Sequence, residues 1–549
     1  MWIAIGAIAC ALLALSLLID TRTFARWFAH PAQSNPELTE QGAALWRIML
    51  AVTAAVLAGA SVFWWRFAKP NAAVSSEAVL GRERLWGLIG IIAIALAARA
   101  TRLSESLWYD EIASWMTYAG GATSIGAVIG NFFDPINHPL HTLLNFLSVR
   151  WFADSLGVEL AFRLPALIFS TLSVLAMFGL ARATIGERAA FIAATLAAVL
   201  PVAVLEGVEA RGYSMVVFFS AMMTWMLIEA IRRDRPLPWL MYAVFCALGV
   251  WSHFVTAFVP IGHAVWIGWR AVRLSERRAA VNASAALALA ATLAITLYAP
   301  MIPGRLAARG MFAAQRGDQP TIVGVEGFHA LLQLGGSWYW WAALPGLLLG
   351  TIGLFNRARS ISSRRLPHAI EAAMMGLPLM VIAVALVGTW VYARFTFFAL
   401  PGAILLIAAG IDSAWGWRRL AGFTALGVII AASVADLAIR PPKQPLRDAV
   451  EFVQSHQSPG DRVVAVGLAH EVLRVYAGGL NLTYSLRHGA DLPQKLTRIE
   501  PAWLIVEYPR SVSQETCEVI QRAGFRETAQ LHGWVDWTNG DIVVYHRVD

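Results

Sequence analysis

The chain has 549 residues, of which 58% are hydrophobic and only 14% charged, and its mean hydropathy is +0.58. Soluble domains carry about 25% charged residues, so this composition excludes an ordinary soluble protein and indicates a polytopic membrane protein. The formal net charge is +8, but the basic residues cluster in short loops between apolar runs. That is a topology signal and argues against a nucleic-acid partner. Cys10, Cys246 and Cys517 indicate no disulfide framework.

Apolar runs of about 17–22 residues, long enough to cross a bilayer core, recur along the chain. They predict a mainly α-helical protein with about thirteen transmembrane helices, at residues 1–19, 43–66, 84–101, 164–182, 189–208, 212–230, 238–252, 254–270, 280–300, 338–356, 371–391, 395–411 and 419–438. We assign the first two to an extra N-terminal hairpin (1–83) and the others to one transmembrane domain (84–439).

Basic residues cluster in every second loop between these runs, and the positive-inside rule places such loops on the cytoplasmic side. The intervening loops and the polar tail beyond Arg440 are then outside, which predicts a multi-pass protein of the cell (inner) membrane with its tail facing the periplasm or exterior. The basic clusters are Arg82 with Arg84, Arg182 with Arg188, Arg232 with Arg233, Arg270 with Arg273, Arg357 with Arg359, and Arg418 with Arg419.

One apolar segment, His138–Arg150, breaks the alternation. Both of its flanks must be outside if the later basic loops are to stay inside. At roughly 13 residues and 1.5 Å per residue it is also too short to cross a core about 30 Å thick. We therefore predict one long outer loop, 102–162, with helices that lie along or dip into the outer leaflet.

The tail, 440–549, alternates between helix-like and strand-like segments and predicts a small α/β domain on the outer side. Prolines at 441, 442 and 445 end the last transmembrane run. The predicted strands are Arg462–Val466, Trp503–Glu507, Glu527–Leu531 and Asp541–His546, and the predicted helices are Leu446–Gln454, Glu471–Ala477 and Ser513–Ala523.

An acidic pair, Asp110-Glu111, follows the third apolar run and is flanked by Trp108, Tyr109 and Trp115. Trp and Tyr favour the bilayer interface, where paired carboxylates remain hydrated. A hydrated helix end would explain the pair equally simply. The aromatic setting favours a function in chemistry on a lipid-linked substrate. In an inverting sugar transfer, Asp110 would remove the proton from the attacking hydroxyl, and Glu111 would orient it or bind the acceptor.

Three isolated side chains on the outer side are candidates for a ligand site. His138 begins the second half of the outer loop, where its ring can bind a phosphate oxygen or a divalent ion. His253 lies in a tight outer turn, and a snorkelling interfacial histidine is the alternative interpretation. Arg394 is a lone cation between two outer segments, an exception to the positive-inside rule that indicates an anionic ligand.

A further outer turn carries charges in the sequence Leu205-Glu206-Gly207-Val208-Glu209-Ala210-Arg211-Gly212-Tyr213. One explanation is that these charges only mark the ends of two helices at the membrane–water interface. Glu209 and Arg211 are nonetheless predicted to lie at the depth of Asp110 and to reach a shared cavity. Glu206 is predicted to be a solvated helix end.

Together these motifs resemble the GT-C glycosyltransferases that use polyprenyl-phosphate sugars, which include the protein O-mannosyltransferases and the transferase that adds aminoarabinose to lipid A. The resemblance covers residues 84–549. This sequence has His-Pro-Leu where the family has His-Pro-Pro, and Arg-Gly where Arg-Pro is commoner. The matching motifs are Asp110-Glu111, His138-Pro139-Leu140, Arg163-Leu164-Pro165, Glu209-Ala210-Arg211-Gly212-Tyr213, Ser252-His253-Phe254 and Arg394-Phe395.

The resemblance implies an inverting glycosyltransferase with Asp110 as catalytic base and an undecaprenyl- or dolichyl-phosphate sugar as donor. It places His138 and His253 where relatives contact phosphate or a divalent metal ion, and Arg394 on the lipid phosphate. The acceptor would be a hydroxyl of a glycan, a lipid or a protein. Membrane lipids would surround the transmembrane helices.

Two other classes of function remain open. A non-enzymatic flippase or transporter of lipid-linked sugars would carry ionisable residues at the bilayer midplane. An oligosaccharide ligase or polymerase would share the outer site and move a diphosphate-linked chain.

Overall fold

A computed structural model describes residues 2–31, 35–67, 81–130, 137–273, 275–307, 325–359, 367–387, 391–467, 472–484, 491–507, 512, 514–535 and 538–548. The backbone groups into two compact units. The membrane unit comprises Met1–Thr101, Thr117–Leu156 and Ala161–Leu437, and the C-terminal unit comprises Arg102–Met116, Gly157–Leu160 and Ala438–Asp549. The predicted outer loop 102–162 is thus divided between the two units.

The helices in chain order are α1 Trp2–Leu18, α2 Thr21–Phe28, α3 Pro36–Phe67, α4 Arg82–Leu103, α5 Tyr109–Ser114, α6 Ile125–Gly130, α7 Pro139–Leu156, α8 Val158–Thr184, α9 Glu187–Val199, α10 Pro201–Val208, α11 Tyr213–Arg233, α12 Pro236–Ser252, α13 Phe258–Arg273, α14 Arg277–Tyr298, α15 Val325–Leu334, α16 Trp340–Arg359, α17 Pro367–Met374, α18 Gly376–Val387, α19 Leu400–Trp417 and α20 Arg419–Ile439. Short 3-10 helices occupy Phe254–Ala257 and Ala393–Ala399. Of these elements, α5 belongs to the C-terminal unit.

Each of the predicted apolar segments contains a helix. Within the described residues, eight helices are long and apolar enough to cross a membrane, or up to ten spans if each of two bent pairs counts as one. The bent pairs are α1 with α2, at 100°, and α9 with α10, at 55°. Helix α7 is not among these candidates, and α12 and α16 are shorter apolar helices.

The close packing of α16 against α19 depends on small residues. A Cβ atom on Gly410 of α19 would collide with the Leu349 carbonyl of α16, and one on Gly353 would collide with the Leu406 carbonyl. Glycine at such contacts lets two helix backbones approach closely, as is common in membrane proteins. The packing supports α19, which continues directly from the 3-10 helix Ala393–Ala399 that carries Arg394.

The C-terminal unit contains one five-stranded mixed sheet and a small hairpin. Strands β2, β1 and β3 are parallel, and β7 runs antiparallel to both β3 and β4. The sheet order is β2-β1-β3-β7-β4, and β5 pairs with β6. The strands are β1 Arg462–Val466, β2 Asn481–Tyr484, β3 Trp503–Glu507, β4 Phe525–Leu531, β5 Trp534–Val535, β6 Thr538–Asn539 and β7 Ile542–Arg547, and the helices are α21 Leu446–His456, α22 Leu492–Ile499 and α23 Gln514–Arg522.

The predicted α/β character of the tail is confirmed. Strands β1 and β3 have the predicted bounds, and every residue of β3 is buried, as expected for a central strand covered on both faces. The predicted helix Glu471–Ala477 is instead a 3-10 helix, Val472–Val475. Glu471 itself, and Ser513 before α23, lie outside the described residues.

Candidate active site

Five of the predicted site residues lie at helix ends of the membrane unit. His138 precedes α7, Glu209 and Arg211 lie between α10 and α11, His253 follows α12, and Arg394 lies in the 3-10 helix before α19. Their side chains are buried, with exposed fractions between 2% for Arg211 and 6% for His253. Helix ends far apart in sequence therefore supply buried polar groups to one region.

His138 is the centre of this cluster. Its Nδ1 atom accepts a hydrogen bond of 2.6 Å from the backbone N–H of Gly212. Its Nε2 atom lies 3.5 Å from an Arg211 guanidinium nitrogen. The rings of His138 and His253 are 4.5 Å apart, edge to face. Because the backbone of the α10–α11 turn holds His138, the ring orientation is fixed by main-chain geometry.

Gly212 is required here for two reasons. A Cβ atom at this position would lie 2.8 Å from His138 Nδ1 and 2.8 Å from the Ser252 carbonyl oxygen, closer than real Cβ contacts. A proline, the residue that is commoner in the family at this position, has no N–H group to donate to His138. The departure from Arg-Pro thus has a local structural reason.

Tyr213 packs against several members of the cluster, although the sequence did not predict a function for it. Its ring lies 5.2 Å from that of His138 and 5.8 Å from that of His253. The Arg394 guanidinium lies over Tyr213 at 5.7 Å and over Tyr392 at 4.8 Å. The only sequence signal was its place at the end of the Arg211-Gly212 motif.

The site histidines are held in the neutral form. Burial, followed by the positive charges of Arg211 and Arg394, lowers the pKa of His253 to about 3. Burial and the charge of Arg211 also lower the pKa of His138 well below its usual value. At neutral pH both rings are uncharged and each carries one proton.

The backbone selects the position of that proton. His138 Nδ1 accepts from Gly212, and His253 Nδ1 accepts from the N–H of Val255 at 3.2 Å. A neutral imidazole that accepts at Nδ1 carries its proton on Nε2. Both histidines are therefore hydrogen-bond donors at Nε2.

This donor set does not fit the predicted metal site at His138 and His253. A metal bound at Nε2 needs the lone pair that the proton occupies there. Arg211 and Arg394, whose charges act on His253, also repel a cation. Within the described residues, no group of three or more His, Cys, Asp or Glu is arranged to hold a metal ion. The chemistry of the cluster suits an anion.

The acidic pair lies in the other unit, on α5. The Trp108 N–H donates to Glu111 Oε2 at 3.1 Å, which closes the first turn of the helix. Gln444 Oε1 accepts from the Tyr109 N–H at 3.0 Å. Glu111 is 1% exposed whereas Asp110 is only partly buried. Glu111 thus fixes the start of α5, and Asp110 is the more accessible carboxylate.

The prediction that Asp110 shares a cavity with Glu209 and Arg211 stays a prediction, since the two groups of residues belong to different units. The prediction that Glu206 is a solvated helix end is wrong, because Glu206 is 3% exposed. It lines a cavity of about 20 Å³ together with Arg99 and Tyr213. Sequence reasoning missed Arg99, although an arginine inside an apolar run is itself a signal.

Comparison with known proteins supports a common fold. A family model for dolichyl-phosphate-mannose-protein mannosyltransferases matches residues 143–303. "Putative mannosyltransferase YkcB" of Bacillus subtilis (strain 168) is 26% identical over 229 residues, which are 39% of this chain and 30% of YkcB. The match therefore spans less than a third of the length of that relative.

Two solved membrane proteins resemble most of the chain. ArnT from Cupriavidus metallidurans in the apo state has a TM-score of 0.54 at 14% identity, over 85% of this chain and 99% of ArnT. Bound to undecaprenyl phosphate, the same protein has a TM-score of 0.53 at 13% identity, over 84% and 98%. The oligosaccharyltransferase AglB from Archaeoglobus fulgidus, in complex with an inhibitory peptide and a dolichol-phosphate, has a TM-score of 0.53 at 12% identity, over 78% and 69%. These similarities show that the chain has the GT-C fold.

Proposed function

We propose that this protein is an inverting membrane glycosyltransferase, which transfers a sugar from a polyprenyl-phosphate-sugar donor to an acceptor hydroxyl at the outer face of the cell membrane. The observation that carries the proposal is the buried pair of arginines, Arg211 and Arg394, beside two histidines that accept main-chain N–H groups at Nδ1. Such a cluster suits a phosphate group in a site that excludes water.

The charge of the cluster is consistent with a phosphodiester. Arg211 and Arg394 are 2% and 5% exposed, and Glu209, at 3%, is the acidic member predicted for the same site. Buried charges are costly unless they are compensated. A polyprenyl-phosphate sugar carries one negative charge, which the guanidinium groups of Arg211 and Arg394 would bind.

The similar proteins support a lipid phosphate as the ligand. ArnT was solved with undecaprenyl phosphate and AglB with a dolichol-phosphate. Both ligands are phosphates of polyprenyl alcohols. A sugar linked to such a phosphate is the donor class that we propose here, and the acceptor is a glycan, lipid or protein hydroxyl.

The proposed reaction assigns one role to each of these residues. The acceptor oxygen attacks the anomeric carbon and loses its proton to Asp110, the proposed catalytic base. The bond from the anomeric carbon to the phosphate oxygen breaks, with inversion of configuration. Negative charge develops on the departing phosphate, where Arg211, Arg394 and the two Nε2–H groups stabilise it without protonating it. Glu111 holds the start of α5 and thereby orients Asp110.

A product assay distinguishes this function from the alternatives. Purified protein is incubated with the polyprenyl-lipid fraction of the host envelope and an envelope extract, and the lipids are followed by mass spectrometry. A transferase releases polyprenyl monophosphate. A ligase or polymerase releases the diphosphate, and a flippase consumes no donor. Absence of protein-dependent monophosphate release, together with unchanged envelope glycoconjugates in a deletion strain, would contradict the proposal.

A further inference from the structure

A buried arginine on α4 contacts the helices that lead into the cluster. Arg99, on α4, is 1% exposed, and all of its donor groups are engaged. Nε donates to the Ser170 hydroxyl at 2.6 Å. The two terminal nitrogens donate to the carbonyl oxygens of Ala95 and Ala198 at 3.0 Å, Ala197 at 3.1 Å and Ala203 at 3.3 Å.

Two of these carbonyls have lost their helical partners. In a continuous helix, the Ala197 carbonyl would accept from residue 201, but Pro201 has no N–H group. The Ala198 carbonyl would accept from Val202, whose N–H donates instead to the Gly336 carbonyl at 3.2 Å. Orphan carbonyls of this kind are costly in an apolar interior. Arg99 satisfies both of them.

The same arginine also contacts the helix that follows the break. Ala203, in α10, accepts the bond that ties this helix to α4. Gly207 faces the arginine, and a Cβ atom there would lie 3.5 Å from Arg99 Nε and would collide with the Ser170 hydroxyl. Helix α10 ends at Val208, one residue before Glu209. Arg99 thus holds both sides of the 55° bend that leads into the site.

A small cavity links this layer to the site residues. It measures about 20 Å³ and is lined by Arg99, Glu206, Tyr213 and Ser214, among others. That volume suits a single water molecule. The hydroxyl of Ser214 has no hydrogen-bond partner in the described protein, so it offers such a water a polar contact. Tyr213, in the wall of the cavity, also packs against His138 and His253.

We propose that Arg99 is a positioning residue: it holds the bend between α9 and α10 and so keeps Arg211 and Gly212 in place against His138. Five donors in a planar fork are needed to satisfy these partners, and lysine supplies only three from one point. The expected effect on phosphate binding rests on the proposed function. The positioning itself does not.

The test combines local hydrogen exchange with ligand binding, in purified protein in lipid nanodiscs. The variants are Arg99→Gln, Arg99→Lys and the milder Ser170→Ala, which removes only the partner of Nε. Arg270→Lys is the matched control, because Arg270 is also a buried arginine, at 8% exposure, but bonds to Glu276 beyond α13. The binding probe is undecaprenyl phosphate.

We expect faster exchange in peptides covering 200–213 for Arg99→Gln, with protection in the rest of α11 unchanged. Undecaprenyl phosphate should bind about 10- to 100-fold more weakly, since small displacements of binding groups are costly. Arg99→Lys should restore part of the loss, Ser170→Ala should show the same pattern more weakly, and the control should behave as wild type. A general loss of protection without local change would instead indicate a merely structural role and overturn the inference.

If Arg99→Gln does not fold, Ser170→Ala decides the matter: local acceleration with weaker binding supports the inference, and wild-type behaviour in both measurements overturns it. If the wild-type protein fails to bind undecaprenyl phosphate, the proposed donor class is wrong. The exchange of 200–213 in the variants still tests the positioning role of Arg99.

Discussion

At the scale of single residues, the two site histidines take their chemical character from the backbone bonds that they accept. His138 and His253 both receive a main-chain N–H at Nδ1, so each presents a proton at Nε2. Their burial keeps them neutral, and the neighbouring guanidinium groups reinforce this. A pair of neutral donors beside two fixed cations can hold an anion without passing a proton to it. That is the requirement for a phosphate leaving group.

Asp110 is expected to supply the chemistry that this cluster lacks. Asp110→Asn keeps the shape of the side chain and removes the base, so sugar transfer should fall by about 10²- to 10⁴-fold. Donor binding and the thermal midpoint of unfolding should stay unchanged. The matched control is Asp448→Asn, another partly exposed aspartate near the start of a helix in the same unit. Near-full activity in purified Asp110→Asn protein would remove Asp110 from the mechanism.

Arg394 is expected to determine the affinity for the lipid phosphate. Its guanidinium stacks over Tyr213 and Tyr392, a geometry that an ammonium group does not reproduce. Arg394→Lys should weaken binding of undecaprenyl phosphate, and Arg394→Ala should weaken it by about 10- to 100-fold, the range of a lost charged hydrogen bond. Arg188→Ala is the control, because Arg188 is 48% exposed and pairs with Asp412. Equal affinities in all variants would show that Arg394 does not bind the lipid phosphate.

At the scale of elements, the site is built from helix ends whose positions depend on a few close backbone contacts. The α10–α11 turn is the clearest case, because the N–H of Gly212 bonds to His138 while its Cα lies against the Ser252 carbonyl. Gly212 thus connects the segment before α7, the start of α11 and the end of α12. A small change at this turn should disturb all three.

Gly212→Ala tests this directly. The added methyl group would sit 2.8 Å from His138 Nδ1 and from the Ser252 carbonyl oxygen, so backbone or ring must move. We expect a loss of roughly 1–3 kcal/mol in stability, typical of overpacking, and weaker binding of undecaprenyl phosphate. Gly427→Ala in α20, where a Cβ atom meets nothing within 4 Å, should leave both unchanged. If Gly212→Ala binds the lipid as tightly as wild type, the turn does not organise the site.

Most helices and strands could be located from the sequence, but few of the contacts between them could be predicted. Apolar run length located the helices, and a continuous run of buried residues located β3, because these signals are local. Strand β2, Asn481–Tyr484, was not predicted, since four residues of mixed polarity acquire strand structure only by pairing with β1. The burial of Glu206 was equally invisible, because the cavity that it lines includes Arg99, which is more than 100 residues distant in the chain.

At the scale of the whole molecule, the positive-inside pattern is the basis for placing every proposed ligand contact on one side. Each helix that crosses the membrane inverts the next loop, so an error in one span would invert all later ones. Helix α7 is the sensitive point, since at 18 residues it is longer than the 13 or so predicted from sequence. If α7 crossed the membrane, Arg394 and the C-terminal unit would lie on the inner side.

Cysteine labelling with a membrane-impermeant reagent measures which side of the membrane each segment faces. In a variant that lacks Cys10, Cys246 and Cys517, single cysteines replace exposed serines: Ser155 on α7, Ser458 in the C-terminal unit and Ser275 in the basic loop between α13 and α14. We expect labelling from outside at 155 and 458, and at 275 only after the membrane is permeabilised. Labelling of intact cells at 275 with protection at 458 would place Arg394 and the C-terminal unit inside. Such an inverted result would end the proposal of an outer-face transferase and leave the GT-C fold intact.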